Sequence, residues 1–354
     1  MKFYRPCGVT AAEGVAMKRV LLAVLLVVAP LAVQAQPAAE FFKNRKMTLI
    51  TSASTGGGYD QYARLLARHM PKFLPGGATM IVQNMPGAEG IKAANYLYTV
   101  APRDGGVVGG LQRNTGLTKF YQPDNANAQF DARKFIWLGS TQQEVGFFLI
   151  RNATGVKGLE DLRRKEVTIS SSARNSPSSI YSRLLNELFT TKMRVIEGYD
   201  GSQAALMAIE RGEVDGHISG GTSAAFRARY RPWEKAGEVS VLMQLGMERD
   251  KDYPDVPTAL ELAPNPVARA IFEIAFVEQV MGRPFVLPPE VPKDRADLLR
   301  KAFDQTMKDA VFLEDAAKVG AEIDPVTGER INELLDKVYS TPADLTQRVR
   351  DLVQ

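Results

Sequence analysis

From Met47 onward the chain alternates short apolar runs with amphipathic ones, and this alternation limits the possible folds more than any single motif. Met47-Thr48-Leu49-Ile50-Thr51 reads as a strand. Across 59–73, Tyr59, Tyr62, Leu66, Met70 and Phe73 recur at spacings of three and four, the period of a helix with one apolar face. Pro75-Gly76-Gly77 ends it. The same reading predicts strands at 80–84, 107–111, 135–140, 146–150, 166–169, 194–197, 214–218 and 239–245. It predicts helices at 91–100, 159–165, 178–191, 203–211, 257–262, 267–278, 293–319, 328–339 and 342–352. Strand, loop and helix in repeated order predict an α/β architecture with largely parallel sheets. In such sheets ligands sit beyond the carboxyl ends of the strands, where polar Gly- and Ser-rich joints lie.

The 354 residues are enough for two domains. The formal charge of +4 is concentrated at the start, where Lys2, Arg5, Lys18 and Arg19 face only Glu13. Residues 36–354 carry +1, which gives no footprint for a nucleic-acid partner. The first 35 residues read as a secretory signal peptide, with 17–35 its working part. Met17-Lys18-Arg19 is a positive start, 20–33 an apolar run broken by Pro30, and Val33-Gln34-Ala35 a small-residue cleavage site. The apolar run is short for a membrane span. A linker is expected over 36–44. Cys7 is the one cysteine and precedes the apolar run, so the exported part has no thiol for a disulfide, a thiolate metal site or a nucleophile.

Thr55-Gly56-Gly57-Gly58-Tyr59-Asp60 joins the first strand to the first helix. Bare backbone N–H groups at a helix start can hold an anionic ligand, and three glycines can equally be a tight turn. No Gly-x-Gly-x-x-Gly and no Gly-Lys-Ser/Thr ending is present there. Asp60 in the first helical turn complements the positive helix end and competes with a ligand for the same N–H groups. Ser171, Ser172, Arg174, Asn175, Ser176 and Tyr199 supply hydroxyls, an amide and one cation at later joints, a donor set suited to a carboxylate. Ser176 and Pro177 are placed to start a helix as cap and first residue. His69 and His217 stand alone, without metal-ligand spacing, and read as packing or surface residues. Asp215 reads as a partly buried strand residue, Glu89 as an outward helix-start acid and Asp200 as a turn acid.

The motifs have a telling order. After the apolar leader come Thr55-Gly56-Gly57-Gly58-Tyr59-Asp60, then Val82-Gln83-Asn84-Met85-Pro86-Gly87-Ala88-Glu89-Gly90 and Ala101-Pro102-Arg103-Asp104-Gly105. The serine loop 170–172, Tyr199-Asp200-Gly201, Gly212-Glu213-Val214-Asp215 and Tyr253-Pro254-Asp255-Val256-Pro257-Thr258 follow. In that order and spacing the chain resembles the Bug-type, or TctC-like, solute receptors of tripartite tricarboxylate transporters, over about 47–339. Thr55, where the family often has proline, and Glu89, where it usually has glycine, depart from the pattern.

The resemblance implies a type II periplasmic-binding-protein fold with two lobes, two crossing strands and a ligand cleft between the lobes. One lobe would hold 44–142 and 248–354, the other 143–247, with crossings near 140–146 and 245–248. Thr55, Gly56, Gly57 and Gly87 would face the ligand from one lobe, and Ser171, Ser172, Ser176 and Tyr199 from the other. The ligand would be a small organic carboxylate, the partner a two-component membrane permease, the location the periplasm and the receptor a monomer. No catalysis, metal or cofactor is expected. Docking on a sensor kinase is the alternative role. A serine hydrolase is the third, and no positioned base or Gly-x-Ser-x-Gly elbow supports it.

Overall fold

The computed structural model describes residues 1–3, 38–174, 176–199, 201–221 and 224–353. The signal-peptide reading, Cys7, Asn175 and Asp200 lie outside the described residues.

The first passage of chain runs α1 (Ala38–Phe42), β1 (Lys46–Thr51), α2 (Gly58–His69), β2 (Thr79–Asn84), α3 (Ile91–Thr99), β3 (Val107–Gly110), α4 (Thr118–Tyr121) and β4 (Ile136–Ser140). The second runs β5 (Gly146–Arg151), α5 (Leu159–Arg164), β6 (Val167–Ser170), α6 (Pro177–Phe189), β7 (Met193–Ile196), α7 (Gly201–Glu210), β8 (Gly216–Ile218), α8 (Ala224–Lys235) and β9 (Val239–Leu245). The third runs α9 (Pro266–Val280), β10 (Pro284–Leu287), α10 (Lys293–Met307), α11 (Ala310–Lys318), β11 (Val326–Thr327), α12 (Gly328–Tyr339) and α13 (Ala343–Val353).

These strands form two sheets, in the orders β11-β4-β10-β3-β1-β2 and β7-β6-β8-β5-β9. The α/β class is as expected, but the sheets are mixed and not largely parallel. β1 pairs in parallel with β2 and β3, and β6 with β7 and β8. β10 is antiparallel to both of its neighbours, β3 and β4, and β5 to both β8 and β9. Topology requires this. β4 leads out of the first sheet into β5, and the chain returns from β9 through α9 to β10, so β10 runs against the common direction of the first sheet, as does the edge strand β11, and β5 runs against that of the second.

Three further expectations are corrected. The linker over 36–44 contains α1, whose Phe41 and Phe42 are buried. The helix over 257–262 is absent, because Thr258 is held in a β-bridge to Gln244. The long helix over 293–319 is two helices. Asp309 breaks it by capping the second, accepting the Phe312 N–H at 2.9 Å.

Period-two alternation divides the core. Leu49, Phe285 and Leu287 point to a cluster beneath α2 and α10, whereas Ile50 and Val286 point to the other face. Phe147 and Leu149 pack against α7 and α8, and Phe148 and Ile150 face the opposite way. The cluster holding Ile50, Val286, Phe148 and Ile150 is continuous through α9, whose Phe272 and Phe276 meet Phe189 and Tyr181 of α6. Each such aromatic contributes about 2–3 kcal/mol by burial alone. The two sheets thus share a packed spine beside the crossings. The backbone there is also tied, by Gln143 N–H to Asp324 O and Glu144 N–H to Gln279 O, both at 2.9 Å.

Candidate functional site

A cleft of about 450 Å³ opens where β6, β7 and β8 deliver their loops. Ser171, Ser172, Ser176, Ser178, Tyr199, Gln203 and His217 line it, with Arg113 and Glu144 at its floor. The loops are fixed by backbone. Ser171 N–H donates to Ile196 O at 2.8 Å, and Tyr199 N–H donates to Ser171 O at 3.1 Å, so the turns after β6 and β7 are bound together. Ser171 is buried and its hydroxyl lies 2.7 Å from that of Ser176. Ser176 is the N-cap of α6, with Pro177 following, but its side chain makes no capping bond. The Ser176 hydroxyl thus does not take up a first-turn N–H group of α6, and the helix start, with the positive end of its dipole, lies at the cleft through Ser176, Pro177 and Ser178.

His217 is buried. Its Nδ1 lies 3.1 Å from the Ser170 hydroxyl and its ring packs beside Phe226. Burial pushes its pKa down to about 4, against the opposing effect of the Ser170 carbonyl, so the imidazole is neutral at ordinary pH. His69 is likewise structural: its Nε2 lies 3.0 Å from Asp315, joining α2 to α11. Asp215 is part-buried and accepts from the Thr168 N–H and hydroxyl, both at 2.8 Å.

The floor is an ion-pair bracket. Glu144, in the crossing between β4 and β5, receives Arg113 Nη1 on Oε2 at 2.6 Å and Arg283 Nη1 on Oε1 at 3.2 Å. Arg113 also donates to Gly220 O, at 3.1 Å, linking the segment after β3 to the loop after β8. Tyr59 supports both arginines. Its hydroxyl accepts the Arg113 N–H at 3.2 Å, and Arg283 stacks 4.5 Å from its ring centroid. Burial raises the Tyr59 phenol above its ordinary pKa despite the nearby arginines.

The glycine loop after β1 is committed internally. Asp60 is buried and accepts from Gly56 N–H at 2.8 Å, Asn84 Nδ2 at 2.7 Å and Arg64 Nε at 2.9 Å. Burial alone would raise its pKa, but these donors outweigh it and hold the carboxyl below the usual range. Gly57 N–H donates to Ser54 O at 3.2 Å, and Thr55 Oγ1 donates to Asn84 Oδ1 at 3.3 Å. Thr55, Gly56 and Gly57 are exposed, as are Gly87 and Glu89 in the next turn. Ser171, Ser172, Ser176 and Tyr199 come together on the cleft, and Thr55, Gly56, Gly57 and Gly87 are not among its lining. Arg174 is exposed and also outside it. Sequence reasoning missed Arg113, Glu144 and Arg283. The available signal was an acid, Glu144, standing between two apolar strand runs.

No protein-family model matches the chain. It is 24% identical over 334 residues to a UPF0065 protein of Bordetella bronchiseptica, covering 90% of this chain and 89% of that one. A UPF0065 protein of Cupriavidus necator is 24% identical over 279 residues, covering 77% and 79%. Among solved structures, a TctC solute-binding protein from Polaromonas superposes with a TM-score of 0.66 at 17% identity, covering 87% of this chain and 98% of that one. The periplasmic binding protein BugD gives 0.54 at 17% identity, covering 88% and 98%. An R. palustris protein with adipate gives 0.55 at 17% identity, covering 87% and 97%. The chain has the two-lobed periplasmic-binding-protein fold. Its structural neighbours are the TctC and Bug solute-binding proteins that its motif order resembles.

Proposed function

We propose that the chain is an extracytoplasmic solute receptor that binds a small organic carboxylate and hands it to a membrane permease of the tripartite tricarboxylate type. It acts without catalysis, as a monomer, in the periplasm after removal of its leader. The lobes are assigned as 44–142 with 248–354, and 143–247, closing on the ligand about the two crossings. Ser171, Ser172, Ser176 and Tyr199 hold the carboxylate, with the loop of Thr55, Gly56 and Gly57 and the turn at Gly87 forming the facing wall on closure. The observation that carries this reading is the α6 N-terminus, whose cap hydroxyl is turned to Ser171 and which shares a hydroxyl-lined cleft with Arg113. Such a site favours a carboxylate by hydrogen bonds and by the helix-end field. The solute-binding neighbours, one of them with adipate, support the same class of ligand.

The test is thermal unfolding of ligand-free protein against a panel of mono-, di- and tricarboxylates. A bound acid at 100 times its Kd stabilises the fold by about 2.7 kcal/mol and raises Tm. A panel that leaves Tm unmoved sinks the reading.

A further inference from the structure

We infer that Glu144 makes the cleft a charge filter, which accepts a ligand with one carboxylate and discriminates against its dicarboxylate counterpart. The inference rests on the cleft being the carboxylate site. Among the described residues, Arg113 and Glu144 are the only charged side chains lining it. They are not a loose surface pair. Glu144 is 10% exposed at its side chain and Arg113 20%. The backbone of Glu144 is anchored to Gln279 O.

The surroundings leave the Glu144 side chain little room. A Cβ added at Gly221 would stand 2.3 Å from its Oε2, and one at Gly282 would stand 3.2 Å from its Cγ. Two glycines thus close around this side chain and keep its carboxylate beside the ligand space.

Both arginines near the floor are engaged by the one carboxylate of Glu144. Each Glu144 oxygen holds one of them, and Arg113 also feels Glu278 of α9. The remaining lining is neutral: hydroxyls, Gln203, Phe226 and the uncharged His217. A first carboxylate finds hydroxyls, the α6 N-terminus and one edge of Arg113. A second, within the same 450 Å³, finds no unpaired cation and lies within several ångströms of Glu144. Repulsion at that range in a partly desolvated site is worth about tenfold or more in affinity. The geometry therefore assigns Glu144 as a specificity residue of this chain.

Size-matched probes isolate the charge. Succinate, glutarate and adipate are each titrated calorimetrically against their own monoamides, with ligand-free wild type, Glu144→Gln and the charge-retaining Glu144→Asp. In wild type and Glu144→Asp, the best-fitting monoamide binds about tenfold tighter than its diacid. In Glu144→Gln that ratio falls about tenfold. A wild-type preference for the diacid overturns the inference without recourse to any variant. So does an unchanged ratio in a Glu144→Gln protein that remains folded by circular dichroism and still binds acid. If wild type binds none of these probes and no other carboxylate, the cleft reading itself has failed and the filter falls with it.

Discussion

The Asp60 carboxylate accepts the backbone N–H of Gly56 at 2.8 Å, so the glycine loop after β1 is held by an acid of its own chain. Asn84 and Arg64 donate to the same carboxylate, tying the ends of β1 and β2 to the first turn of α2. Asp60→Ala removes a buried acceptor from donors that water can still reach, Gly56 and Arg64 being exposed, and should cost about 1–2 kcal/mol. The folded-state pKa of Asp60 is depressed. Its contribution is therefore present above the unfolded carboxyl pKa of about 4 and is lost as pH falls through the folded value. Urea unfolding should show the gap between wild type and variant at pH 7 and its closure in stronger acid. A gap below about 0.5 kcal/mol at neutral pH would mean that water replaces the carboxylate without loss.

His217 gives a pH dependence of the other kind. Its folded pKa is about 4 against an ordinary 6.5. Above about pH 6.5 neither state binds the proton, so nothing is contributed there. Between 6.5 and 4 the unfolded chain takes up a proton that the buried ring refuses, and stability falls with pH. The total loss is on the order of 3 kcal/mol. His217→Gln removes the group, so wild type should lose stability relative to the variant across this window and run parallel to it below. Urea titrations of both proteins at pH 7, 6, 5 and 4 measure the difference, and parallel curves throughout would place the imidazole in water.

The contrast between these residues and the cleft floor shows what a sequence discloses. Asp60 and its donor Gly56 are four residues apart, and the competition between this acid and a ligand follows from helix-end electrostatics alone. The serine and tyrosine joints are visible because turn composition is local. Arg113 and Glu144 are 31 residues apart, and Arg283 lies far beyond both. Only the crossing of the chain between sheets brings them together. The same limit hid β10, a four-residue strand whose place between β3 and β4 is a matter of tertiary pairing. It also hid α8, whose internal Pro232 argues locally against a helix.

Gly57 separates the two remaining views of the glycine loop. Its φ of −75° and ψ of 165° suit any residue, and an added Cβ would meet only Ser54 O, at 3.3 Å. Gly57→Leu should therefore change the stability of ligand-free protein by no more than about 1 kcal/mol. Gly56 is unsuitable for this test, because its φ of +83° would strain any side chain. If the loop forms the facing wall of the closed cleft, a leucine there intrudes on the ligand and should weaken the best acid of the panel at least about tenfold, or roughly 1.4 kcal/mol. Calorimetric titration beside thermal unfolding reads both quantities in one preparation. Unchanged affinity would return 55–57 to the role of an internally bonded turn. The second wall would then be Tyr59 and Arg113, which already meet at 3.2 Å beside the cleft floor.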